Sequence, residues 1–382
     1  MLDILNYIPE IILLVTLLTC SLFLIKKPIS KKNSRFLDAS AIIGLAACAS
    51  YIILSMIEDQ QSLIRDLFKL YFLLAATYHM FTYSKRFHAL ERVCLLSTCL
   101  GLFMIVSTTD TLMLLSSFAL CIVSVYGFSL TRERPSKDTA MLVSILFLIS
   151  IIYGQNHFMA AMILLLSTLF FALRTTNKDL ESFCVTLLVP INIYILLREL
   201  LASQNPIKIE STLITIGFIL MLLPVVLLFS GSNKTKNMVK FAVFYIGAIL
   251  FLLGSGTLDI KASAIMMTLL LTFTYSPVAN PLTIIGMVLL PPATAFVGKF
   301  PLFWAPFKNE EPVQIILLSA ITLAMSIFGA RELYNFHTSN KGKLVPFSTP
   351  FKIISIAVII VSVIYFSYIN QTLEYAIRAL SK

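Results

Sequence analysis

Continuous apolar runs, each closed by a short cluster of charged or turn-forming residues, alternate along the whole chain. In the first half they cover Pro9–Ile25, Leu37–Ile57, Leu67–Tyr83, Val93–Val106, Leu112–Leu130, Thr139–Tyr153 and Phe158–Leu173. In the second half they cover Phe183–Leu197, Leu213–Ser230, Phe241–Gly254, Ala264–Tyr275, Pro281–Val297, Val313–Ala330 and Ile353–Tyr368. The apolar residues are contiguous rather than placed at every second position, which is the pattern of lipid-embedded helices and not of barrel strands. Several runs are shorter than the roughly 20 residues a crossing needs, so their helices extend into the flanking breaks. The pattern predicts an all-α polytopic membrane protein of about 14 transmembrane helices.

Composition strengthens that reading. Of 382 residues 58% are hydrophobic and 13% charged, and the mean hydropathy is +0.91. A soluble domain carries roughly twice that share of charge. In hydrocarbon every backbone N–H and C=O must be paired within its own segment, which a helix achieves by itself. Met1–Tyr7 contains no Lys or Arg ahead of the first apolar run, so no cleavable signal is expected and the first helix stays. The breaks are short and leave no room for a soluble domain, so residues 1–382 read as a single transmembrane domain without a repeat visible by eye. Cys20, Cys48, Cys94, Cys99, Cys121 and Cys184 all fall in apolar stretches without a Cys-x-x-Cys pair, which points to buried packing rather than a metal or disulfide role.

The net charge of +10 is spread through short breaks rather than gathered on one surface, so it marks topology and not a nucleic-acid partner. Twenty of the 29 Lys and Arg residues fall in the odd-numbered breaks, among them Lys26–Arg35, Arg132–Lys137 and Lys234–Lys240. Basic residues stay cytoplasmic, so these breaks are assigned to the cytoplasm and both termini to the opposite side.

Ionisable residues inside a span are costly enough to need a reason. None of the 19 acidic residues lies well within a predicted span, the nearest being Glu10 and Asp38 at helix starts. Lys299 follows Leu289–Leu290–Pro291–Pro292, where the two prolines remove backbone donors and predict a helix break. Broken helices beside ionisable groups are how transporters place ion sites at membrane depth, although a lysine at a helix end also snorkels to the headgroups. The same two readings apply to Lys69 in Asp66–Leu67–Phe68–Lys69–Leu70–Tyr71. His79 reads as a proton relay or as a histidine bonded to a neighbouring helix, and Pro190 and Pro224 as mid-span kinks. There is no phosphate-binding Gly-rich loop, hydrolase elbow, metal-ligand spacing or dinucleotide fingerprint.

Several of these segments resemble the subunit N (subunit 2) family of respiratory complex I, the proton-translocating NADH:quinone oxidoreductase. Pro9–Glu10–Ile11 is similar to the family's opening, and Phe68–Lys69–Leu70 followed by Leu73–Leu74–Ala75–Ala76 to its third helix. Gly101, Met104, Ser107 and Asp110 resemble the run into the fifth helix. Asn233–Gly247 matches in spacing a segment ending in a Ser-x-x-Gly-Tyr-Ser-Ser-Ile-x-His-x-Gly-like pattern, with Lys236 at a basic position and Tyr245 where the histidine stands. Pro291–Phe300 is similar to the twelfth helix, with Lys299 at its channel lysine.

The resemblance implies an antiporter-like fold of two inverted five-helix repeats, about 93–197 and 213–330, flanked by helices in 9–83 and 353–368. It also implies a proton path through Lys299, Lys69, Tyr245 and Lys240, with the helix break at Pro291 and Pro292. The partners it implies are other complex I membrane-arm subunits and membrane lipid, in a bacterial inner membrane or a mitochondrial one. No cofactor and no redox site are expected on this chain, flavin and iron–sulfur clusters belonging to partner subunits.

The chain departs from the family in its first repeat and is shorter than most bacterial members. The family's fifth-helix glutamate falls on Ala119 or Cys121, and its seventh- and eighth-helix lysines near Phe171 and Val189. An apolar side chain neither binds a proton nor offsets a charge. Three functions therefore follow: a subunit coupling quinone reduction to proton translocation, a non-pumping scaffold of the same complex, and an independent cation/proton antiporter. The antiporter would need acidic ligands inside the membrane.

Overall fold

The structure, a computed structural model, describes residues 7–26, 31–58, 62–83, 89–108, 110–130, 156–175, 178–203, 205–230, 236–275, 301–307, 311–339 and 366–380. Among these residues every regular element is helical: α1 (Ile8–Lys26), α2 (Lys31–Glu58), α3 (Leu63–Tyr83), α4 (Ala89–Ser107), α5 (Thr111–Leu130) and α6 (His157–Arg174). They are followed by α7 (Lys178–Phe183), a π turn (Cys184–Leu188), α8 (Val189–Ala202), α9 (Pro206–Phe229), α10 (Asn237–Gly254), α11 (Leu258–Thr274), α12 (Pro312–Ser339) and α13 (Phe366–Leu380). Seven helical stretches among the described residues are long and apolar enough to cross a membrane. The predicted spans Thr139–Tyr153 and Pro281–Val297, and nearly all of Ile353–Tyr368, lie outside the described residues.

Helix ends run past the apolar runs, as the short cores required. Leu67–Tyr83 becomes Leu63–Tyr83, and Leu213–Ser230 becomes Pro206–Phe229. Pro206 opens α9 where its missing N–H is not needed, and Pro224 lies inside the same helix. Pro190 follows the π turn by two residues. A proline there donates nothing to the preceding turn and its ring crowds a carbonyl, so a widened turn just before it relieves that conflict.

The helices gather into two compact units, one comprising Met1–Arg174 with Leu187–Leu196, the other Thr175–Thr186 with Leu197–Lys382. In the first unit α1 packs against α2 and α4, and α4 against α5. Gly101 of α4 lets α5 approach: a Cβ there would stand 2.6 Å from Cys121 Sγ and 2.9 Å from the Ser117 carbonyl oxygen. All six cysteines are buried.

In the second unit α9 and α10 cross with backbone nearly touching backbone. A Cβ on Gly217 would lie 2.5 Å from Phe251 N, and one on Gly247 2.7 Å from Met221 N. Lipid supplies no hydrophobic drive between helices, so close van der Waals approach at small residues holds such a pair. Every residue of α10 is buried. Gly256, at φ 79°, turns the chain from α10 into α11.

α13, from Phe366 to Leu380, is amphipathic and lies almost wholly beyond the predicted span Ile353–Tyr368, of which only Phe366–Tyr368 are described. It buries Leu373, Ala376 and Ile377 and leaves Tyr368 and Tyr375 exposed, while Asn370 donates to the Asp259 carbonyl oxygen at 3.2 Å.

Candidate functional site

In the first unit, three residues from three helices meet away from solvent. Glu10 enters from the first turn of α1, Lys69 from α3 and Ser107 from the last residue of α4. Lys69 Nζ lies 2.8 Å from Glu10 Oε1, and Ser107 Oγ donates to the same oxygen. Glu10 Oε2 is buried and has no hydrogen-bond partner among the described residues. The Lys69 ammonium also stands 5.9 Å over the Phe103 ring.

Lys69 is 1% exposed, which overturns its reading as a headgroup anchor. A snorkelling lysine keeps its ammonium in water, whereas this one is turned inward to a carboxylate. Phe68 and Tyr194 close the neighbouring side, their rings 4.9 Å apart, and Tyr194 Oη donates to the Val106 carbonyl oxygen at 3.1 Å. Taking two charges out of water costs roughly several kcal/mol per ion, which only close pairing and added hydrogen bonds offset.

The second unit holds a larger network. Glu181, in α7, receives the Tyr275 hydroxyl on Oε1 at 2.7 Å and the Lys236 ammonium on Oε2. Lys236 also donates to the Thr175 carbonyl oxygen. Glu181, Lys236 and Tyr275 are all buried. One residue further on, Asn237 donates from Nδ2 to Glu332 Oε1 at 2.9 Å, and its Oδ1 accepts from Lys240 Nζ at 3.3 Å. Lys240 is buried too. These residues lie next to the breaks that close the seventh, ninth, eleventh and thirteenth predicted spans, so four odd-numbered breaks meet at one end of this unit. A separate pair, Lys261 Nζ with Glu210 Oε1 at 2.7 Å, joins the starts of α11 and α9.

The sequence-selected residues are thus dispersed. Lys69 sits in the first unit; Lys240 and Tyr245 share α10 in the second. The Tyr245 hydroxyl donates to the Met267 carbonyl oxygen of α11 at 3.0 Å. His79 is buried with its ring edge-on to Tyr78 at 5.7 Å. Lys299, Pro291 and Pro292 lie outside the described residues. Sequence reasoning places Glu10 at a helix start without its partner Lys69, and misses Glu181, which stands in α7 just ahead of the run Phe183–Leu197. The only available signal was a glutamate within the first turn before an apolar run, as in Lys178–Asp179–Leu180–Glu181.

Where the resemblance expects ionisable groups in the first repeat, the structure is apolar. Cys121 lines a small pocket with Leu102, Ile105, Phe118, Leu164 and Leu188, and Phe171 and Val189 are buried.

No protein-family model matches the chain, and no curated protein does. Solved structures do. A chain of the membrane-bound sulfane sulfur reductase, an archaeal respiratory membrane complex, is 13% identical at a TM-score of 0.75, the match covering 100% of this chain and 98% of that one. A chain of respiratory complex I from Thermus thermophilus is 13% identical at a TM-score of 0.65, over 96% of this chain and 99% of that one. A chain of the Mrp complex from Dietzia sp. DQ12-45-1b is 12% identical at a TM-score of 0.62, over 82% of this chain and 44% of that one. At such identities the likeness is one of fold: this chain has the all-helical membrane fold found in those complexes.

Proposed function

We propose that the chain is a membrane-arm, antiporter-like subunit of the subunit N type in a respiratory NADH:quinone oxidoreductase, taking part in coupling quinone reduction to proton translocation. The observation that carries this reading is the Lys69–Glu10 pair. It brings together the two sequence segments, Pro9–Glu10–Ile11 and Phe68–Lys69–Leu70, that resemble the family at opposite ends of its flanking helices, and it does so inside a fold shared along nearly the whole chain with a complex I chain. Lys69, Lys240 and Lys299 are the protonatable groups of this reading, with partner subunits holding flavin and iron–sulfur clusters.

A specific observation favours a second reading. The apolar lining at Cys121 leaves the first repeat without the acid and lysines of the family, as a non-pumping scaffold would have it. One experiment separates the two. NADH-driven proton uptake is measured in vesicles, normalised to assembled complex, for the wild type and for Lys299→Ala and Lys299→Arg. The pumping reading expects assembly in all three and reduced uptake in both variants, because arginine holds its proton too tightly to pass it on. Unchanged uptake per NADH in both leaves the scaffold. Isolation of the chain as a monomer that exchanges cations for protons by itself leaves the antiporter.

A further inference from the structure

We propose that Glu181, Lys236 and Tyr275 form a proton-binding site at one end of the second unit, the end whose breaks the charge distribution assigns to the cytoplasm. The inference rests on the proposed function for what the site serves, and on geometry for what it is.

Both carboxylate oxygens of Glu181 are occupied by donors with exchangeable hydrogens, the Tyr275 hydroxyl on one and the Lys236 ammonium on the other. A carboxylate held on each oxygen by a group with an exchangeable hydrogen is set to exchange a proton. In the step, an O–H bond forms on Glu181 Oε2 as an N–H bond of Lys236 breaks, leaving both groups neutral; when Glu181 passes that proton on to a water, the Lys236 amine takes a proton from a hydronium ion and the charged pair is restored, with no electrons moved. Tyr275 keeps Oε1 engaged in either state, and the Thr175 carbonyl oxygen holds Lys236 in place. The buried pair is stable only when both members are charged or both neutral, which favours passing a proton over losing one.

Three further features suit the site to uptake rather than to support alone. It lies beside the break after Arg174 and the break before Lys236, a position next to the chain's polar connections rather than at mid-span. Exchangeable groups continue into α10, where Asn237 links Lys240 to Glu332. Ser182 Oγ, next to Glu181 in the chain, adds a buried hydroxyl with no hydrogen-bond partner among the described residues. Among the described residues, Lys178, one turn earlier on its own helix, and the Cys184 thiol also lie near Glu181.

Two readouts test it. The first is the infrared difference spectrum of the purified complex between acidic and alkaline buffer. A carboxylic C=O band that vanishes in Glu181→Gln and shifts in Tyr275→Phe is expected. The second is the rate of proton uptake by the assembled complex, expected to fall about a hundredfold or more in Glu181→Gln, the scale on which a positioned proton-transfer group acts, and to recover partly in Glu181→Asp. If Glu181→Gln does not assemble, Glu181→Gln/Lys236→Met removes both charges at similar volume and is expected to assemble and show the same two losses. A spectrum in which no band depends on Glu181, or full uptake in either assembled variant, overturns the proposal. A wild-type complex that moves no protons counts against the proposed function, and the infrared comparison then decides the site on its own.

Discussion

Lys69 Nζ and Glu10 Oε1 are 2.8 Å apart although they stand on α3 and α1, and neither side chain reaches solvent appreciably. Removing one partner therefore strands a buried charge. Lys69→Ala is expected to destabilise the protein by about 3–5 kcal/mol, while Glu10→Gln/Lys69→Met, which removes both charges, is expected to lose much less. Thermal unfolding in detergent of the two variants beside the wild type reads the difference. Equal losses would show that the pair contributes volume and not charge.

The crossing of α9 and α10 predicts a second sensitivity. Gly217→Ala places a Cβ 2.5 Å from a backbone nitrogen that no rotamer change can move, and forcing the helices apart is expected to cost about 1–3 kcal/mol. Gly256→Ala is a different case. It meets nothing within 4 Å, so its loss comes from the positive φ alone and is expected near 1–2 kcal/mol. Melting temperatures of both variants, and of Gly217→Ser as a graded control, check the order.

The resemblance implies Tyr245 as a proton carrier at the family's histidine position; its hydroxyl donates to the Met267 carbonyl oxygen, which takes up no proton. Tyr245→Phe is expected to lower stability by about 1 kcal/mol, the usual net value of one such bond, with uptake per NADH unchanged. A large loss of uptake at unchanged stability would return Tyr245 to the proton path.

The meeting of four odd-numbered breaks in the second unit predicts topology. Single cysteines at Lys178 and Arg331, both exposed, should react with a membrane-impermeant reagent from the cytoplasmic side, and one at the exposed Lys208 from the opposite side. Labelling of Lys178 and Lys208 positions from the same side would mean that α7 and α8 together do not cross.

The helices were legible because lipid burial writes itself into sequence as long apolar runs. α9 and α10 appear in the pattern with ends shifted by a few residues. What the pattern concealed was depth. Glu10 reads as a helix-start residue and Glu181 falls unremarked in a polar break, since hydropathy reports the preference of a segment and not the partner that makes a charge tolerable. Lys69 showed the same limit from the other sign: headgroup anchor and buried ion pair have one local sequence, and only the arrival of Glu10 from α1 separates them. α13 was hidden because its apolar face is a stripe, and a run-length reading does not see stripes.

The pocket at Cys121 has a consequence in electrical terms. Leu102, Ile105, Phe118, Leu164 and Leu188 present hydrocarbon, and among the residues named there the Cys121 thiol is the sole exchangeable hydrogen. Hydrocarbon offers a passing charge neither a lone pair nor a counter-charge. In a membrane that stores about 2.3 kcal/mol per elementary charge for each 100 mV, such a lining is a dielectric element and not a conductor.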